Sequence, residues 1–173
     1  AVVNGMRKEE PNPQIRLAAV SAFYNALEFA RGNFEKKDER DFMMLVVCQG
    51  CEATVEELRS KFFECLVKIA GLYYDLLAEY MQRLFNLTLG CIKMAEGGSA
   101  LQAIEFWCTV CDEEIGLAQD LEDAKELGVA PERTSMNYIG GVLKFLVPIL
   151  TEALTKRSAN AEDEDDEEWN LPM

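Results

Sequence analysis

The sequence predicts an all-α fold, a superhelical solenoid of about three to four antiparallel helix pairs, and three observations lead there. Only 5 prolines and 11 glycines interrupt 173 residues, and most of them fall between long apolar-periodic stretches. Hydrophobic residues make up 49% of the chain, enough to pack one domain of ordinary size. The chain also matches itself when slid by 43 residues. Phe42, Met44, Val46 and Cys48 then fall on Phe85, Leu87, Leu89 and Cys91, while Arg16, Phe23 and Leu27 fall on Arg59, Leu66 and Ala70. Arg59 in turn falls on Gln102. Identities are few, but apolar register survives through two different helices of each unit.

Taken in order, the first element is a stub at Ala1–Met6, closed by Gly5 and Pro11. A helix of the second type follows over Pro13–Arg31 and is expected to stop at Gly32 and Asn33. The next pair is a first-type helix over Asp38–Gly50 and a second-type helix over Thr54–Tyr74, with Asp38 and Thr54 as N-caps. The third pair spans Leu76–Met94 and Ser99–Glu126, separated by Gly97 and Gly98, with Ser99 as the cap. A last first-type helix is expected over Ser135–Lys156, capped by Thr134 or Ser135. The units are thus about 1–31, 38–74, 76–127 and 134–173 of a single array. If Phe85 corresponds to Val147, about 19 extra residues lie between Gly116 and Thr134, and their composition favours a longer second-type helix ending before Gly128 and Pro131. Pro148 falls inside the last helix and is expected to kink it. Such a unit buries its apolar stripe only by stacking on neighbours. The chain reads as a piece of a longer array: it opens on a cut-off apolar turn and closes on a newly begun Trp-Asn-Leu-Pro segment.

Charge and composition narrow the function. Histidine is absent, which removes Ser-His and Cys-His nucleophile pairs and an imidazole proton shuttle. With no α/β pattern and no phosphate-binding glycine loop either, the chain reads as a protein-binding module rather than an enzyme. Seventeen basic residues face 31 acidic ones, a formal net charge of -14. Such a surface repels a phosphate backbone and complements basic proteins. No apolar run approaches the roughly 20 residues of a membrane span, and residues 1–10 do not form a signal peptide.

Six cysteines include Cys48-x-x-Cys51 and Cys108-x-x-Cys111, the spacing of a thiolate zinc site. Both pairs fall in or at the ends of helices, and Cys48 recurs as Cys91 at the repeat period, so they read as packing positions; no metal or cofactor is expected. Unpaired thiols in this number suit a reducing compartment. Asn86-Leu87-Thr88 matches a glycosylation sequon but lies inside a predicted helix. Val46, Phe85 and Leu89 read as solenoid core. The run Glu162, Asp163, Glu164, Asp165, Asp166, Glu167 and Glu168 is a solvated loop over 161–168. Glu105 and Asp112 are seven apart and share one helix face.

Helix pairs of this length, with an arginine near the start of the second helix, are the pattern of HEAT repeats. On the residues alone, a HEAT scaffold of another kind, such as a phosphatase regulatory subunit or a coat adaptor, is an alternative. Several segments go further. Asn4–Pro11 (NGMRKEEP), Leu27-Glu28-Phe29, Leu66–Ile69 (LVKI), Leu72-Tyr73-Tyr74 and Leu101–Trp107 (LQAIEFW) are among them. So are Val110–Glu114 (VCDEE), Phe145–Thr151 (FLVPILT) and the junction of the acidic run with Trp169-Asn170. Together they resemble the importin beta family of nuclear import receptors (karyopherin beta), repeats five to eight, across the whole chain. The chain departs from the pattern at Cys48–Cys51 and by one deleted residue near Gln82–Leu84.

The resemblance implies a location in cytoplasm and nucleus, at the nuclear pore. It also implies shallow slots between neighbouring first-type helices that take phenylalanines of FG-repeat nucleoporins. Val3, Glu39, Phe42 and Met43 match one slot, and Tyr80 and Leu87 the next. It further implies that the acidic run with Trp169 meets the small GTPase Ran and basic importin-alpha-type cargo. Glu105, Asp112 and Glu113, on a second-type helix lining the concave side of such arrays, would meet basic cargo residues.

Overall fold

The structure, a computed structural model, describes residues 2–94 and 97–164, apart from the side chains of 153, 154 and 156–164. Eight α-helices follow one another in the described residues: α1 (Val2–Gly5), α2 (Pro13–Ala26), α3 (Arg31–Glu35), α4 (Lys37–Gly50), α5 (Glu56–Tyr73), α6 (Met81–Met94), α7 (Gly98–Leu127) and α8 (Tyr138–Glu164). No strand occurs among the described residues. The helices α1 and α2, α4 and α5, and α6 and α7 pair, and α8 packs on α6 and α7. Across pairs, α5 lies on α7 and α2 on α5, so the second-type helices form one layer, while α6 and α8 meet directly in the other. This is the all-α HEAT-repeat solenoid expected.

One apolar core runs the length of the array. Fully buried Val20, Leu27, Phe34, Phe62, Phe63, Leu66, Ile69, Leu84 and Phe106 lie at its centre. Packing is tightest at Gly50, where an added Cβ would sit 2.3 Å from ring atoms of Phe62; the α4–α5 crossing requires a residue with no side chain there.

Helix ends depart from expectation in instructive ways. Asn12 caps α2, accepting from the Gln14 amide at 2.9 Å with Pro13 at the first helical position. The expected caps Asp38, Thr54 and Ser99 are displaced: the N-cap positions are Lys36, Val55 and Gly97, and none of these three caps by its own side chain. Asp38 lies in the first turn of α4 with Glu39, where it complements the helix dipole. The start of α7 is capped instead from the preceding repeat. The Ser99 amide donates to Glu56 Oε1 at 2.8 Å and its hydroxyl to Oε2 at 3.0 Å. The same device begins α8: the Tyr138 and Ile139 amides donate to Glu114 of α7 at 2.5 and 3.2 Å.

The second-type helix expected through Arg31 ends at Ala26 in a 3₁₀ turn over Leu27–Phe29, and Gly32 and Asn33 lie within α3 rather than stopping a helix. The reason is tertiary: α3 turns Phe34 into the core, where its ring stacks on Tyr73 at 4.0 Å between centroids. The first-type helix expected from Leu76 starts at Met81, because the Tyr74–Leu76 3₁₀ turn and buried Leu77 carry the chain around the corner. At the other end, α7 runs 30 residues and stops at Gly128, which adopts the left-handed conformation (φ 67°) that glycine reaches without strain. Helical structure continues through Pro148 to Glu164, so Glu162, Asp163 and Glu164, expected in a loop, extend α8 as backbone. Their side chains, and Asp165, Asp166, Glu167, Glu168 and Trp169 altogether, lie outside the described residues.

Candidate functional site

Two concave features flank α6. On one side, facing α8, a pocket of about 600 Å³ is lined by Phe85, Asn86, Leu89, Gly90 and Lys93 of α6 and by Lys144, Phe145, Pro148 and Ile149 of α8. Phe85 is half-buried and meets Phe145 edge-to-face, with centroids 5.6 Å apart; Phe145 is 47% exposed. Behind it Phe85 meets Trp107 at 6.2 Å, and the Trp107 indole N–H donates to Thr88 Oγ1 at 2.9 Å, which locks that wall to α7. Pro148 stands inside α8 and has no N–H to give the Lys144 carbonyl one turn back.

On the other side, a pocket of about 430 Å³ lies between α6 and the α4–α5 corner. Leu87, Cys91 and Met94 line it from α6, and Cys51, Glu52, Ala53 and Arg59 from the corner. Asn86 and Gly90 line both pockets. The sequon that Asn86 begins is not presentable: Thr88 is fully buried, and its hydroxyl donates to the Leu84 carbonyl at 2.8 Å.

Of the positions expected to bind aromatic segments, Leu87 lines the second pocket. Tyr80 stands seven residues before Leu87 and ties α6 to α4. Its hydroxyl donates to Asp41 and accepts from Arg40 Nε at 3.2 Å, and burial raises its pKa above the usual phenol value. Phe42 is 41% exposed on α4. Met43 beside it is buried in the core. Val3 packs half-buried on the core. Glu39 is held by Asn33 at 2.6 Å and Lys36 at 2.9 Å, and those bonds, Asn33's first, keep its carboxyl below the ordinary range. Leu89, read from sequence as core, is buried in it, and Phe85, read likewise, packs half-buried against it; both also line the larger pocket.

On the second-type side, Glu105, Cys108 and Asp112 are exposed along one face of α7. Partial burial and the two neighbouring carboxylates push the Cys108 thiol up. Glu113 points elsewhere: with Asp75 it holds Arg133 of the α7–α8 connection, at 3.4 and 2.8 Å. The buried thiols Cys48, Cys51 and Cys65 are unsuited to reaction. Burial raises Cys48 to about 11 and Cys65 to about 12, and raises fully buried Cys51 well above an ordinary thiol. Among the described residues no group of three or more His, Cys, Asp or Glu is placed to hold a metal, and no helix is long and apolar enough to cross a membrane.

No family model matches the chain. Along its whole length it is 40% identical to importin subunit beta-1 of Schizosaccharomyces pombe and 42% identical to that of Arabidopsis thaliana. It spans about one fifth (20%) of the length of each of these curated relatives. Among solved structures it is similar to yeast importin-beta (Kap95p) bound to RanGDP, with a TM-score of 0.85 and 34% identity, covering 97% of this chain and 19% of that one. It is also similar to Kap95 in complex with Nup1, with a TM-score of 0.83 and 32% identity, covering 99% of this chain and 19% of that one. These relatives are importin subunits, and none is named for a reaction.

Proposed function

We propose, on the premise that this chain is an importin-beta-type array of HEAT repeats along its whole length, that it is part of a nuclear import receptor and carries aromatic-binding slots on its first-type helices. The observation that carries the reading is the pocket between α6 and α8, open to solvent and walled by Phe85, Leu89, Phe145, Pro148 and Ile149. A shallow slot of this kind buries one phenylalanine for about 1.5–3 kcal/mol, so single contacts are weak and many in parallel give useful avidity. FG-repeat nucleoporins supply such phenylalanines in series, and the solved complex of a similar protein with Nup1 supports this class of partner. The Leu87 pocket and the exposed Phe42 with its neighbours Val3 and Glu39 are further slots in the same reading; Met43 supports Phe42 from the core, and Tyr80 is held by Arg40 and Asp41 away from the Leu87 pocket.

The opposite layer is read as the cargo and Ran side. Glu105 and Asp112 face solvent two turns apart and suit basic segments such as the importin-alpha type; Glu113 serves through the charge it shares with Asp75 and Arg133. The run Glu162–Glu168 with Trp169 adds charge that accelerates encounter with basic partners and makes affinity salt-sensitive. Ran binding is supported by the similar protein solved with RanGDP. A receptor of this kind works in cytoplasm and nucleus and passes the nuclear pore.

The test is binding of a Phe-Gly peptide to the chain and to Phe145→Ala, Leu87→Ala and Phe42→Ala. Loss in the first two supports the slots; undiminished binding in all three sinks the assignment. Ran-GTP and a basic cargo peptide are then titrated against Glu105→Lys/Asp112→Lys. Unchanged affinity there refutes the acidic-face reading alone.

A further inference from the structure

We propose that the α6–α8 pocket selects aromatic segments flanked by acidic side chains, with Lys93 and Lys144 as its specificity-determining residues; this rests on the pocket being the aromatic slot argued above. The chain as a whole is strongly acidic, but the walls of this pocket are not. From Met81 to Met94, α6 holds Arg83 and Lys93 and no carboxylate, and from Tyr138 to Thr151, α8 holds Lys144 and no carboxylate. Lys93 and Lys144 line the pocket from opposite helices. Elsewhere in the molecule, Lys36, Lys37, Lys61 and Lys68 each find a carboxylate. Neither Lys93 nor Lys144 makes an ion pair among the described residues, and Lys144 Nζ rests instead 4.9 Å from the centroid of the Phe145 ring.

Two unmatched ammonium groups bordering an apolar slot are complementary to an aromatic side chain with Asp or Glu close to it in sequence. They are repulsive to an aromatic set among Lys or Arg. The slot and the Glu105–Asp112 face would therefore sort partners by sign: aromatic-acidic segments to one layer, basic segments to the other. Exposed pairs are individually weak, so two of them predict a preference of about two- to tenfold at low salt, screened at high salt.

The experiment measures fluorescence anisotropy of three short peptides with one Phe-Gly core and Asp, Asn or Lys flanks, titrated with the 173-residue chain at about 0.05 M and about 0.5 M salt. The expected order is Asp tighter than Asn tighter than Lys. That order should collapse at high salt and in Lys93→Gln/Lys144→Gln, and return in Lys93→Arg/Lys144→Arg. Both lysines are on the surface, and circular dichroism checks that the variants fold. If the three peptides bind equally and phenylalanine-dependently, the charge selection is overturned while the slot stands. If no peptide binds, the slot falls and the selection with it. If the lysine substitutions instead abolish concentration-dependent self-association in sedimentation velocity, and the peptides do not compete, the occupant is a second copy and the proposal is wrong.

Discussion

Replacing Glu114 by alanine should loosen α8 from the rest of the array. The carboxylate takes three bonds at once: the Tyr138 and Ile139 amides at 2.5 and 3.2 Å, and the Tyr74 hydroxyl at 2.8 Å. The same hydroxyl accepts from the Met136 amide at 2.9 Å, so Glu114 fixes both the start of α8 and the strand of chain entering it. Losing a cap costs about 0.5–2 kcal/mol. The Tyr74 hydroxyl, in a fully buried residue, loses its carboxylate acceptor, which adds about 1–2 kcal/mol. The expected loss is therefore about 2–4 kcal/mol for Glu114→Ala, a fall in melting temperature of about 5–12 °C for a chain of this size. Glu114→Gln keeps an acceptor and should lose about 1 kcal/mol. Urea unfolding of both variants, with Tyr74→Phe to close a double-mutant cycle, measures these terms, and the shared bond predicts positive coupling. A loss below about 0.5 kcal/mol for alanine, or equal losses for alanine and glutamine, would refute the capping argument.

Glu56 is the equivalent cap for α7, and the Ser99 amide, first among its partners, holds its carboxyl below the ordinary range. A lowered folded-state pKa contributes stability above the unfolded value of about 4.3, and that contribution is lost as pH falls through the folded value. Glu56→Gln should therefore be less stable than the native chain at pH 7 and converge on it below about pH 4; a gap independent of pH in thermal melts would contradict this. Gly50→Ala gains about 1 kcal/mol of helix propensity but drives a methyl into the fully buried Phe62 ring, so a net loss of about 1–3 kcal/mol is expected in chemical denaturation, and any gain in stability would refute the crossing geometry. With a thiol reagent, exposed Cys108 should react first and buried Cys48, Cys51 and Cys65 only on unfolding; rapid labelling of those three in the folded chain would show that the core is open.

Much of the fold was legible because it repeats. The 43-residue period placed α4 and α6 as equivalents and gave the α5 and α7 pairings, and Gly128 ended α7 where its left-handed freedom is needed. Helix starts were legible to within a residue or two for α2, α4, α5 and α7, but the capping groups were not. Those of α7 and α8 come from Glu56 and Glu114, 43 and 24 residues away, and local rules look only at the adjoining Ser, Thr and Asp. Helix α3 was missed for a related reason: Gly32 and Asn33 signal a stop, and only the stacking of Phe34 on Tyr73 overrides them. Phe85 and Leu89 have the apolar register of core residues and do pack in or on the core; that they also border a pocket depends on α8, which local register does not place. Leu87 emerged on a pocket, whereas Met43, expected in a slot, is core.

The central claim, an aromatic slot between α6 and α8, is tested most directly by titrating the isotope-labelled chain with a Phe-Gly peptide and its Phe→Ser control while following the methyl groups of Leu89 and Ile149. Saturable shifts confined to α6 and α8, absent with the serine peptide and weakened by Phe145→Ala, are predicted from the burial of one ring against that wall. Shifts that persist with the serine peptide, or none at all with the phenylalanine peptide in excess, would contradict it.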